Sequence, residues 1–98
     1  MTLHILNKSP SNTGVIKDML QAVSENDSIL MMEDAAYFVL EAHVAVFGSL
    51  PKSVQLYALS PDIEARGLSS KTPSIITLID DKGFVQLCCD NSKTVSWF

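Results

Sequence analysis

The sequence predicts an α/β domain: a small single-domain, mainly parallel sheet flanked by helices. Short apolar runs alternate along the whole chain with stretches of helical period, the pattern of strands joined by crossover helices. The run Ser28–Met32 is continuously apolar after its first residue, as a parallel strand covered on both faces is. Ninety-eight residues, 47% of them hydrophobic and 18% charged, supply one core and leave no room for a second. The expectation is one domain over residues 1–98, without repeats, linkers or low-complexity tracts.

Leu3–Leu6 reads as the first strand, ended by the turn-rich Asn7-Lys8-Ser9-Pro10-Ser11-Asn12-Thr13-Gly14. From Val15 the apolar positions 15, 16, 19, 20 and 23 form a helical stripe, with Thr13 or Asn12 placed to cap its first turn. Ser28–Met32 is the second strand. Asp34 then stands as the N-cap of a helix from Ala35 to about Val46. Its apolar residues spread round the whole circumference, broken mainly by Glu41 and His43. A helix of that kind is buried on more than one side. The sheet covers one side, and in so small a chain a partner is expected on the other.

Gly48 and Pro51 mark a loop, and Val54–Leu59 is the third strand. Ser60–Gly67 spells a short helix, with Ser60 at the cap, Pro61 at the first helical position and Gly67 at the stop. Ile75–Ile79 is the fourth strand. Asp80 or Asp81 caps a helix from about Lys82 to Asp90, which Gly83 weakens. Thr94–Phe98 forms a short final strand or an ordered tail.

Composition narrows the function classes. The mean hydropathy of +0.22 excludes a disordered chain and is high for a small monomer, so part of the apolar surface is expected to face another subunit. Net charge is −4, and Lys8, Lys17, Lys52, Arg66, Lys71, Lys82 and Lys93 are scattered. No basic footprint for direct nucleic-acid binding exists. The opening Met1–Leu6 lacks the cationic start and long apolar core of a signal peptide. Ile29–Leu50 is apolar but carries Glu33, Asp34 and Glu41, too many carboxylates for a membrane span. With its cysteines adjacent, the chain is expected in a reducing, cytoplasmic setting.

Candidate chemistry is sparse. Cys88-Cys89 offers thiols able to carry a persulfide, but a helix C-terminus disfavours a thiolate and Val85 and Leu87 read as core neighbours. The expectation is inert, packed thiols. The segment Asn7–Gly14 enters a helix N-terminus, where an anion would bind beside Lys8. It lacks any glycine-rich phosphate fingerprint, so turn and capping chemistry is the expected role. His4 reads as a hydrogen-bonded structural or rim residue, and no spacing suggests a metal site, a cofactor or a nucleophile elbow. Phe38, Val39, Ala42, His43 and Val46 on the all-round apolar helix, with the aromatic pair Trp97 and Phe98, are the candidate subunit interface. Val39→Glu is expected to leave the fold largely intact and abolish assembly.

Two segments carry a family resemblance. Leu3-His4-Ile5-Leu6-Asn7-Lys8-Ser9-Pro10 resembles the start of DsrH/TusB proteins. Val54-Gln55-Leu56-Tyr57-Ala58-Leu59-Ser60-Pro61-Asp62-Ile63-Glu64-Ala65-Arg66-Gly67-Leu68 is similar to that family's "VYAL…D…ARGL" stretch. The length, the Ile79-Asp80 turn, the helix through Phe84-Val85-Gln86-Leu87 and the terminal Trp97 agree, so the resemblance spans nearly the whole chain. It implies the small DsrE/F/H-like fold. It also implies a TusB-like subunit joining TusC-like and TusD-like subunits in a heterohexamer. That complex relays persulfide sulfur from TusA-like to TusE-like carriers for 2-thiolation of the tRNA wobble uridine.

By the same resemblance, the sulfur-carrying cysteine belongs to the TusD-like subunit. DsrH proteins of sulfur oxidisers carry a cysteine in the first helix, where this chain has Met19, which favours the TusB branch. Cys88 and Cys89 match no family motif. Three alternatives stand beside this reading: a DsrH-like sulfur-oxidation subunit, a persulfide carrier or sulfurtransferase acting through Cys88 or Cys89, and a small-anion-binding module using the loop from Asn7 to Gly14.

Overall fold

In the computed structural model, which describes all of residues 1–98, five parallel strands form one sheet in the order β4-β3-β2-β1-β5. The elements are β1 (Thr2–Leu6), α1 (Thr13–Ala22), β2 (Ser28–Met31), α2 (Glu41–Val44), β3 (Gln55–Leu59), α3 (Ser60–Ala65), β4 (Ile76–Ile79), α4 (Asp81–Asp90) and β5 (Lys93–Trp97). Right-handed crossovers that step one way along a sheet stack their connections on one face. The connections between β1 and β4 do this. The last one, through α4, runs back across the sheet to place β5 beside β1 and lies on the opposite face.

Register divides the core accordingly. Leu6 pairs with Met31, Met31 with Ala58 and Leu56 with Ile76, so these side chains share the first face. There they join Ile16 and Met19 of α1, Ala35, Ala36, Phe38 and Val39, and Ile63 of α3 around the larger hydrophobic cluster. Ile5 pairs with Leu30, and Leu30 with Tyr57, on the second face. Leu3, Ile5, Leu30 and Leu87 form the smaller cluster there, flanked by Tyr57, Ile79 and Phe84.

The single helix expected from Ala35 to Val46 is replaced by three short pieces. Glu33–Val39 is a 3-10 helix, Leu40 is extended with ψ 143°, and α2 leads into a second 3-10 turn over Ala45–Ser49. The spacing explains the first piece. Ala35, Ala36, Phe38 and Val39 are all buried, and 35/38 and 36/39 superpose at three residues per turn rather than 3.6. Asp34 is not a cap; its carboxylate accepts a hydrogen bond from Arg66 at 3.2 Å. Glu33 enters the segment in the left-handed region at φ 51°, a strained conformation for a side chain of this kind. The Asp62 carboxylate accepts the Glu33 backbone N–H at 2.6 Å and holds that turn.

Other ends follow local chemistry. The Asp80 side chain accepts the Gly83 N–H at 2.9 Å and caps α4 as the sequence predicts. Gly67 stops the segment after α3 with φ 65°. Ser60 is the first helical residue rather than the cap, which falls on Leu59. α1 has no side-chain cap from Asn12 or Thr13. Gly83 has a packing reason: a Cβ there would lie 2.8 Å from Cβ of Ile79. The C-terminal segment is a true strand, parallel to β1, with Leu6 opposite Trp97.

Candidate docking groove and exposed thiols

A groove of about 510 Å³ opens between α1 and the segment that follows the first 3-10 helix. Its α1 wall comes from the helical stripe: Ile16 and Leu20 turn apolar side chains toward it while Lys17 and Gln21 stand at the exposed rim. Phe38 forms the floor, and Ala42, His43 and Val46 form the far wall. Phe38 also anchors that wall. Its ring packs edge-on to His43 at 6.5 Å and tilts against Phe47 at 5.5 Å between centroids. Among the lining side chains the ionisable ones are Lys17 and His43, and no carboxylate is present.

The expected interface residues therefore separate. Ala42 and His43 are exposed and Val46 is half-buried, all three on the groove. Phe38 is buried and meets the groove only from below. Val39 is 0% exposed and packs in the larger cluster, so it is a core residue and no partner can reach it. The expectation that Val39→Glu spares the fold is corrected on that ground: the carboxylate would be buried without a partner. Trp97 is half-buried and held by its own domain, donating its indole N–H to His4 Nδ1 at 3.1 Å, while Phe98 remains 64% exposed.

Cys88 and Cys89 are exposed, contrary to the packed thiols expected. α4 rests on the sheet through Leu87 and half-buried Phe84; Cys89 falls on the side of the helix away from them, and Cys88, one turn after Phe84, is exposed at the flank of that stripe. Val85, read as core, is 63% exposed. The thiols lie on the second face, so the sheet separates them from the groove. Met19 is fully buried in the larger cluster. The Asn7–Gly14 turn is closed by its own bonds, with Ser9 Oγ 2.6 Å from Ser11 Oγ and the Asn12 N–H donating to the Ser9 carbonyl. Asn7 donates to the Glu33 carboxylate at 3.4 Å, and a negative group beside the turn opposes an anion there. No three His, Cys, Asp or Glu side chains converge as metal ligands, and no helix is long and apolar enough to cross a membrane.

The sheet order and the groove define the class: a small parallel α/β domain with an open apolar surface. Two solved structures share this fold. The crystal structure of the ychN protein from E. coli superposes with a TM-score of 0.71 at 13% identity, covering 97% of each chain. The solution NMR structure of protein Tm0979 from Thermotoga maritima gives 0.66 at 21% identity, covering 93% of this chain and 94% of that one. In sequence, the family model described as DsrH like protein matches residues 8–94. Protein TusB of Pectobacterium parmentieri is 32% identical over 95 residues, 97% of this chain and 99% of the relative. Protein TusB of Buchnera aphidicola subsp. Baizongia pistaciae is 33% identical over 97 residues with the same coverage, and that of Escherichia coli (strain K12) is 30% identical over 95. This chain belongs to the DsrH family.

Proposed function

We propose that the chain is an assembly subunit of a cytoplasmic sulfur-relay complex of the TusBCD type. Family membership across nearly the whole chain supports a sulfur-relay role. The observation that carries the assembly part is the groove: apolar side chains of α1 and of the Phe38–Val46 segment line an open surface that nothing else in the chain covers. TusC-like and TusD-like subunits would complete a heterohexamer, with the groove as one contact. Sulfur would pass from a TusA-like donor toward a TusE-like acceptor, for 2-thiolation of the tRNA wobble uridine. In each transfer an acceptor thiolate attacks the outer sulfur of a persulfide. The S–S bond breaks, the donor leaves as thiolate, and no external oxidant is consumed. The chain's net charge of −4 and scattered lysines support contact with protein partners rather than with RNA.

The exposure of Cys88 and Cys89 favours one other reading, a persulfide carrier acting through these thiols. Labelling the assembled complex with a radioactive persulfide donor separates the two. Label on a partner's cysteine, with undiminished transfer in the Cys88→Ser/Cys89→Ser variant, is the expected result. Label on Cys88 or Cys89, with transfer lost in that variant, would replace the assembly reading by the carrier reading.

A further inference from the structure

His4 sits in the middle of β1, opposite Val95 of β5, and is 2% exposed. Its Nε2 lies 3.0 Å from a carboxylate oxygen of Asp27, which is buried in the turn before β2. Asp27 also accepts the backbone N–H groups of Thr2 and Ser24, each at 2.9 Å. Burial alone would push this carboxyl up; the Ser24 and Thr2 donors, together with His4, outweigh it and hold it below its ordinary value. An ionised Asp27 is an acceptor only, so Nε2 carries the proton between them.

The other ring nitrogen has the opposite duty. The indole of Trp97 is a donor only, and it lies 3.1 Å from Nδ1 with the two rings stacked at 6.2 Å and 22°. Nδ1 must therefore present a lone pair. The two neighbours together select the neutral imidazole protonated at Nε2. A second proton has one place to go, Nδ1, where it would set two N–H donors 3.1 Å apart and break the Trp97 bond. Asp27 favours that proton and Trp97 opposes it. Trp97 can yield, because β5 is an edge strand and Phe98 beside it is exposed.

We propose that His4 is a pH-sensitive latch: neutral, it holds the Trp97 indole against the sheet, and protonated, it releases it. The charged group touching the ring is Asp27. On β5 the ionisable residue is Lys93, exposed and opposite Thr2 rather than His4. α1 turns uncharged Ile16 and Met19 inward, with Val23 just after it, and leaves Lys17 and Asp18 exposed, and the β2 neighbour of His4 is Ile29. The latch does not depend on the sulfur-relay reading.

Trp97 is the chain's one tryptophan, so its fluorescence and its indole N–H resonance report the latch directly. Both are to be followed on the intact chain from about pH 8 to about pH 5, the interval in which histidine changes charge. The backbone signal in far-ultraviolet circular dichroism and the imidazole ¹⁵N shifts are followed in parallel. The expected result is one single-proton sigmoid: emission moves to longer wavelength in step with proton uptake at Nδ1, while the circular dichroism stays constant. His4→Asn keeps an acceptor beside the indole and has no proton to gain, so its Trp97 signal should be flat. A purely structural histidine would hold Trp97 at every pH where the fold persists. Nδ1 protonated already at about pH 8, Nδ1 taking up a proton with Trp97 unmoved, or His4 staying neutral until the fold is lost would each overturn the proposal. If His4→Asn does not fold, the wild-type imidazole and indole signals decide alone.

Discussion

On the first face of the sheet, α1, the Glu33–Ser49 segment and α3 help form a cluster of fifteen buried side chains; on the second, α4 and the sheet form a cluster of four. The topology causes the difference, since three crossovers share one face and a single return crossover takes the other. Hydrophobic stabilisation scales with buried apolar area, so the first face carries most of the fold's stability. That face also carries the groove, because the irregular Phe38–Val46 segment does not close against α1. Stability and the proposed docking surface thus lie a few ångströms apart, and a substitution must be placed with care to test one without the other.

Val39→Glu is the largest expected break. A carboxylate at a fully buried site costs about 5 kcal/mol or more, comparable with the whole stability of a small domain, and circular dichroism should show an unfolded chain. Truncations measure the asymmetry itself. Met19→Ala on the first face is expected to cost about 3–4 kcal/mol and Leu87→Ala on the second about 2 kcal/mol, read from urea midpoints. Equal losses would mean that the sparse cluster holds the fold as firmly as the dense one.

Gly83→Ala sharpens the comparison within α4. Helix propensity favours alanine, but the new methyl would meet Ile79 at 2.8 Å, so a loss of about 1–2 kcal/mol is expected rather than a gain. Asp27 gives a smaller, pH-dependent effect. Its folded pKa is lowered, so its contribution is full above the unfolded value of about 3.9 and is lost as pH falls through the folded value. Denaturation of wild type and Asp27→Asn across this range should therefore show the stability gap narrowing in acid.

The first four strands were legible because each is a short, mostly apolar run bounded by turn residues, as Ser28–Met31 and Gln55–Leu59 illustrate, while the polar Lys93–Trp97 left strand and ordered tail both open. The Asp80 cap and the Gly67 stop were legible for equally local reasons. The segment after β2 was misread because its apolar residues were fitted to a 3.6 period, although 35/38 and 36/39 already spaced them by three. The outward position of Cys89 was foreshadowed by Phe84 and Leu87, which mark the buried stripe of α4, whereas the same stripe continues to Cys88 and gives no sign of its exposure. The hydrogen-bonded chain Asp27–His4–Trp97 had no local signal: the partners of His4 stand 23 and 93 residues away, and only the folded sheet brings them together. The groove was legible in part, as an excess of apolar residues near Ala42 and Val46, but its α1 wall depends on packing between separate elements.

The groove is the proposed contact between this chain and sister subunits. Ala42→Glu tests it most directly: position 42 is exposed, so stability should change by no more than about 0.5 kcal/mol, while a charge is set on the groove wall. Native mass spectrometry of complexes captured through the tagged chain from its own host, wild type beside Ala42→Glu, is the measurement. The expected result is a hexamer with two copies each of three related small subunits for wild type, and a folded, unassembled chain for Ala42→Glu. A wild-type monomer or homo-oligomer carrying extra sulfur on Cys88 or Cys89, or a hexamer that tolerates Ala42→Glu, would contradict it.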